Sequence, residues 1–244
     1  MSPPLLDQPP VVPWATWYNN LPYTLTQGMH VLFAGPTQSG KTTLCRMVCR
    51  WRQCVVVLGT KPKDPSLDDY VEDGYLRIDH WPPTRSEIRK AADSEGAIRI
   101  IVWPKIVTIA DLKKWIPLFR KVLESVFAEG YWTIVIDEGL WMADPKGLNL
   151  GGHMSSIAYA SASSSVSMYL LVQRPANVPP ITWTSVSQAM LFHMGRVDDV
   201  RDLASLGTYD PRAAASAVQH LEGRRFLDLP VRAQASWGIS EVEL

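Results

Sequence analysis

The sequence predicts an α/β protein with a mostly parallel central sheet flanked by helices, and three observations point there. Several short runs are apolar throughout, such as Val31-Leu32-Phe33-Ala34, Val55-Val56-Val57-Leu58 and Ile134-Val135-Ile136. A strand buried on both faces reads that way, and such strands belong to parallel sheets covered by helices. Segments of helical period alternate with these runs. Finally, a glycine-rich turn stands between the first apolar run and the first helix. With 244 residues, 46% hydrophobic and 20% charged, the chain fits one large domain and carries no internal repeat.

Taken in order, residues 1–27 read as an N-terminal arm, extended over 1–22 because of Pro3, Pro4, Pro9, Pro10, Pro13 and Pro22. Its Trp14, Trp17 and Tyr18 are expected to pack on the body of the same chain, or else on a neighbouring subunit. Residues 28–230 form the main domain, and 231–244 a C-terminal tail. The first strand covers 31–34, and an amphipathic helix follows over 43–51. A second buried strand at 54–58 runs into the polar turn 60–65. Strand-like pieces follow at 75–78 and 98–103. Helical pattern covers 84–92 and 109–129, the latter opening on Thr108 as N-cap. A buried strand over 132–138 ends in two carboxylates, and another over 167–173 ends in Gln173. Late strands are expected at 188–193 and 225–229. The run 159–167, rich in Ala and Ser, allows a helix leading into a turn.

Composition narrows the function classes. The 24 basic and 24 acidic side chains cancel, unlike the basic excess of proteins that coat nucleic acid. A ring gripping DNA along a narrow inner surface stays compatible with that balance. Cys45, Cys49 and Cys54 lie close together, yet no fourth Cys or His follows at ligand spacing, so they read as small core residues. Their odd count, with no signal peptide, points to a reducing compartment. No apolar run approaches the ~20 residues a membrane span requires. Trp81 and Trp103 read as core rather than as base-stacking platforms.

The chemistry begins at Gly35-Pro36-Thr37-Gln38-Ser39-Gly40-Lys41-Thr42, followed by Thr43. This is G-x-x-x-x-G-K-[ST], the phosphate-cradling loop of nucleoside triphosphatases, in its strand–loop–helix setting. Glycines let the backbone wrap a polyphosphate with N–H groups turned inward at a helix N-terminus. Lys41 then reaches the β- and γ-phosphates, and the Thr42 hydroxyl ligates Mg²⁺. Asp137 ends an apolar strand where Mg²⁺ is held through its waters. Glu138, turned the other way by strand alternation, is the group to activate the attacking water. Gln173, at the end of a further strand, is a candidate contact to the γ-phosphate or that water.

From Leu171-Val172-Gln173-Arg174-Pro175-Ala176-Asn177-Val178-Pro179 and Ser187-Gln188-Ala189-Met190-Leu191-Phe192-His193-Met194, the chain resembles the FtsK–HerA superfamily of P-loop ATPases. Their third motif is a strand ending in T-Q-R-P. The acidic turn Arg196-Val197-Asp198-Asp199-Val200-Arg201-Asp202 and the closing Leu221-Glu222-Gly223-Arg224-Arg225-Phe226-Leu227 add to the likeness, which spans roughly 28–230. It implies a RecA-like, ASCE-type P-loop NTPase fold and ATP with Mg²⁺ as the cofactors. It implies Gln173 as the sensor, and a homo-oligomeric ring, usually hexameric, completed by a neighbour's arginine. Arg201, then Arg196, are the candidates for that finger. Surface arginines paired with Asp198, Asp199 or Asp202 are the alternative reading of the same two residues.

The chain departs from the family in carrying Ala160-Ser161-Ala162-Ser163 where many members have a basic pair. It also lacks the long N-terminal modules of the chromosome-segregation members. That compact plan is most similar to viral and phage genome-packaging ATPases. It implies double-stranded DNA as partner, and allows contact with a capsid vertex or portal protein. The expected location is the host cytoplasm, with association with the virion allowed. The Gly- and Asn-rich segment 143–153 is a candidate channel loop with Lys146 as phosphate contact, or a plain surface loop. The alternatives are a DNA-translocating ATPase of conjugation, repair or phage export, a small-molecule kinase, and a nucleotide-gated structural protein. A kinase is expected to carry an arginine-rich mobile lid, and the Asp137-Glu138 pair with a Gln sensor disfavours it.

Overall fold

The computed structural model describes residues 9–173, 185–195, 200, 210–231 and 237–243. Among these residues nine strands form a single sheet in the order β3-β4-β2-β5-β6-β1-β7-β8-β9. These are β1 (Val31–Ala34), β2 (Cys54–Leu58), β3 (Leu76–Ile78), β4 (Ile98–Val102), β5 (Trp132–Asp137), β6 (Ser167–Val172), β7 (Gln188–Phe192), β8 (Arg225–Pro230) and β9 (Gly238–Glu241). The seven strands from β3 to β7 pair in parallel, with Leu32 beside Leu170 and Val56 beside Ile134. Strands β8 and β9 add antiparallel at one edge.

Alternation along each strand feeds two cores, one on each face. Val56 and Leu58 point to one face, with Phe119, Val122 and Val126 of α6 (Ile116–Glu129) and Met154 and Ile157 of α8 (Gly151–Ser164). Val55 and Val57 point to the other, with Leu44 and Val48 of α2 (Lys41–Cys49) and Leu67 and Tyr70 of α3 (Pro65–Glu72). Cys45 and Cys49 are buried and free in this second core, as expected of small core residues. Trp81 and Trp103 are also buried. Among the described residues no helix is long and apolar enough to cross a membrane.

The main departure from expectation is the N-terminal arm. Residues Trp14–Thr24 form a helix, α1, instead of an extended chain, even with Pro22 inside it. Trp14, Trp17 and Leu21 are its buried residues, at spacings of three and four that make one apolar stripe. That stripe covers the sheet and outweighs the proline signal. Trp14 stacks on Trp17, and Trp17 meets Phe226 edge-on. The aromatics therefore pack on the same chain. Ahead of the helix, Val12 N–H donates to the Ile239 carbonyl at 2.8 Å, and Ile239 N–H donates to that of Pro10 at 2.8 Å. Residues 238–241, expected in a tail, are thus strand β9, held between β8 and the N-terminal segment.

The predicted helix over 109–129 is two helices, α5 (Ile109–Lys114) and α6, hinged at Trp115. Pro117 has no N–H to donate, so it belongs in a first turn rather than a helix interior. Thr108 caps α5 as expected, in a reciprocal box with Asp111. The helix predicted over 84–92 is α4 (Arg85–Ala91), boxed by Thr84 and Glu87. Among the helices the sequence did not predict are α3 and α9 (Pro211–Gln219). Each opens on an Asp N-cap followed by Pro, at Asp64-Pro65 and Asp210-Pro211.

Inside this sheet Asp228 of β8 is a buried carboxyl. It accepts from the Trp17 indole N–H at 2.7 Å and from the Gln188 amide at 2.5 Å. Burial pushes its pKa up to about 6, against the pull of those two donors. A folded pKa above the unfolded one means stability present at low pH and lost as pH rises through about 6. Asp228→Asn keeps both bonds if Gln188 turns its amide. The stability gap between variant and wild type is expected to widen by roughly 2.5 kcal/mol from pH 4 to pH 7.5, read by urea unfolding at the two pH values.

Candidate nucleotide site

Parallel pairing brings the C-terminal ends of β1, β2, β5 and β6 to one edge of the sheet, where open α/β sheets bind their ligands. Strand β6 stands between β1 and β5, so Gln173 enters between the phosphate loop and the carboxylates. A cavity of about 400 Å³ opens there, lined by 37–43, Lys61, Asp64, Asp137, Glu138, Gln173 and Arg224, among others.

The loop after β1 is built for close approach. Gly40 sits at φ +102° directly before α2, a left-handed conformation that glycine tolerates. At Gly35 an added Cβ would lie 2.7 Å from Cβ of Phe192, so the end of β7 closes the back of the loop. No side chain caps the first turn of α2, which leaves its N–H groups and dipole facing the cavity. The Ser39 Oγ is buried without a hydrogen-bond partner. Lys41 is 8% exposed, and its ammonium donates to the Pro36 carbonyl at 2.6 Å. Burial lowers its pKa to about 8, although Asp137 and Glu138 pull the other way. An unsatisfied donor, a desolvated ammonium and an uncapped helix end all fit a polyphosphate.

The carboxylates face this loop. Asp137 is the last residue of β5 and is buried. Glu138 turns out of the strand at φ 69° and ψ 52° to start α7 (Gly139–Ala143). Glu138 Oε1 accepts from the Gln173 amide at 2.6 Å, while the Thr37 hydroxyl donates to Gln173 Oε1 at 3.3 Å. One glutamine thereby ties the loop after β1 to the Glu138 carboxylate. Lys61, in the turn after β2, pairs with Asp64 at 3.1 Å, Asp137 at 3.1 Å and Glu138 at 3.0 Å. Burial raises the Asp137 pKa against the attraction of Lys61. For Lys61 burial works downward, but Asp137 and Glu138 prevail and hold its pKa well above the ordinary lysine value.

The structure brings together residues 35–43, Asp137, Glu138 and Gln173 as expected from sequence. It leaves Lys146 apart: that residue is exposed in the tight turn between α7 and α8, where its N–H donates to Asp144 at 2.8 Å. The expected loop 143–153 is shorter than predicted, because α7 runs to Ala143, α8 begins at Gly151, and Leu148 and Leu150 are buried. Arg196 and Arg201 lie outside the described residues. Sequence reasoning missed Lys61, Asp64, Arg224 and the backing ring of Phe192. Lys61 carried a signal, a charged residue just past the C-terminal end of a buried strand, but its parallel neighbour was unknown.

The donor set fits Mg²⁺. A hydroxyl at Thr42 and a carboxylate at Asp137 supply what that ion takes from protein when phosphates and waters complete its shell. Among the described residues no cluster of three or more His, Cys, Asp or Glu forms a cage of its own.

No protein-family model matches the sequence, and no curated protein is detectably similar to it. Solved structures are. The genome packaging NTPase B204 of Sulfolobus turreted icosahedral virus 2, in complex with ATP-gammaS, superposes with a TM-score of 0.60 at 16% identity. The match covers 90% of this chain and 100% of that one. VirB4 of Thermoanaerobacter pseudethanolicus matches with a TM-score of 0.59 at 9% identity, covering 88% and 89%. The conjugation coupling protein TcpA of pCW3 matches with a TM-score of 0.53 at 16% identity, covering 87% of this chain and 59% of that one. What this chain shares with these proteins is the fold, a mostly parallel α/β sheet of the P-loop NTPase kind.

Proposed function

We propose that this protein is an ATPase that hydrolyses Mg-ATP in a homo-oligomeric ring and translocates double-stranded DNA, packaging a viral genome. The observation that carries the reading is one hydrogen-bonded line, Thr37–Gln173–Glu138, joining the phosphate loop to a carboxylate at the edge of the cavity. A protein that merely binds nucleotide has no need of that link. The fold likeness to a genome packaging NTPase supports the assignment of the work done.

In this mechanism the loop 35–42 binds the triphosphate, with Lys41 exchanging the Pro36 carbonyl for β- and γ-phosphate oxygens. Thr42 and Asp137 would hold Mg²⁺, which supplies charge neutralisation on the phosphates. Glu138 accepts the proton of the attacking water. Gln173 senses loss of the γ-phosphate, because the bond it makes to Thr37 ties it to the loop that held that group. An arginine of the adjoining subunit, Arg201 or Arg196, stabilises the transferred charge. Lys146, exposed beyond α7, is the candidate DNA contact in the channel. A capsid vertex or portal protein is the partner in the host cytoplasm.

The conjugation coupling protein TcpA shares the fold as well, so DNA transfer between cells is the second reading. Phosphate release from Mg-ATP, with and without double-stranded DNA, tests the motor. Strong stimulation by DNA is expected; turnover indifferent to DNA would sink the motor and leave a plain ATPase. Binding without turnover would leave a nucleotide-gated scaffold.

A further inference from the structure

Lys61 stands at the centre of the cavity's acidic side, and nothing in the mechanism above uses it. Its ammonium lies 3.0–3.1 Å from one oxygen each of Asp64, Asp137 and Glu138. Its backbone is held as firmly. The Trp103 indole N–H donates to the Lys61 carbonyl at 2.7 Å, and Gly59 N–H donates to the Val102 carbonyl at 3.0 Å. A Cβ on Gly59 would lie 2.8 Å from the Trp103 ring, so the ring seats under the turn because residue 59 is glycine. Arg77 covers that ring 4.1 Å from its centroid. A lysine on a floppy surface turn has none of this support.

Glu138 Oε1 has two partners, Lys61 and the Gln173 amide. Gln173 ties that oxygen to the phosphate loop, and Lys61 ties it to Asp137 and to Asp64, the N-cap of α3. These two contacts on one oxygen, from the ammonium on one side and the Gln173 amide on the other, fix which way the Glu138 carboxylate points. A general base works only while it is held within hydrogen-bond reach of the water it deprotonates.

We propose that Lys61 is the positioning residue that holds Glu138 toward the attacking water, with Asp64 and Trp103 holding Lys61. The inference rests on the ATPase reading and assigns a residue that acts through Glu138 rather than on the nucleotide. Lys61→Met is expected to lower kcat about 30-fold while changing nucleotide affinity less than threefold, and Lys61→Arg to recover most of the loss. In a Glu138→Gln background the further Lys61→Met change is expected to cost less than threefold in single-turnover phosphate release. Wild-type kcat in Lys61→Met, a loss confined to nucleotide affinity, or full multiplication of the two losses would each overturn the proposal. Failure of the wild-type protein to hydrolyse ATP would instead overturn the ATPase reading itself. Thermal unfolding of each variant separates a folding defect from loss of position, and the arginine variant keeps the test open should the methionine variant fail to fold.

Discussion

Glu138→Gln is expected to bind Mg-ATP as wild type does and to release phosphate 10²–10⁴-fold more slowly, the span that general-base catalysis supplies. The reason is local. A glutamine at 138 still offers a carbonyl oxygen to the Gln173 amide and to Lys61, so the site keeps its shape. What it loses is the ability to take a proton. Single-turnover phosphate release beside binding of a fluorescent ATP analogue checks both halves. Turnover within about fivefold of wild type would remove Glu138 from the chemistry.

Lys41→Met is expected to do two opposite things, weakening nucleotide binding at least 100-fold while raising thermal stability. The first follows from losing charge-assisted bonds to two phosphates, each about 1.5–3 kcal/mol. The second follows from burial. The Lys41 pKa falls from 10.5 to about 8, so the folded state disfavours the ammonium. For a lysine with a depressed folded pKa the penalty is full below about pH 8. Wild-type stability then rises with pH toward the ordinary lysine value. At pH 7 removing the charge is worth up to about 3 kcal/mol. Calorimetric unfolding at pH 7 and pH 10, with nucleotide titration, checks the pair. A variant less stable than wild type at pH 7 would show that the Pro36 contact outweighs the burial cost. The reading is of a site that stores an unfavourable charge for its ligand.

Much of the site was legible because its chemistry is contiguous in the chain. The phosphate loop is eight consecutive residues, and Asp137-Glu138 is a pair at the end of one apolar run. Gln173 was readable from its place at a strand end, although its bonds to Thr37 and Glu138 were not. Lys61 was not readable as a site residue, since Asp137 and Glu138 reach it only through the pairing of β2 with β5. Phe192 was invisible for the same reason: its Cβ stands behind Gly35 and its ring behind Gly40 because β7 pairs with β1.

The fold divides along the same line. Wholly apolar runs announced the parallel strands, because a strand buried on both faces has no polar side to show. The Thr108 cap announced one helix start through bonds made within three residues. The N-terminal segment misled, because its prolines act locally while the stripe of Trp14, Trp17 and Leu21 gains its stability from the sheet it covers. Strand β9 likewise exists through pairing with β8 and with residues 10–12, partners distant in the chain. Sequence alone thus determined the phosphate loop, the paired carboxylates and the parallel strands, whose physics is complete within a few residues. Tertiary structure decided the strand order, the helical N-terminal segment and the Lys61 hub, because each depends on groups that meet after the sheet has assembled.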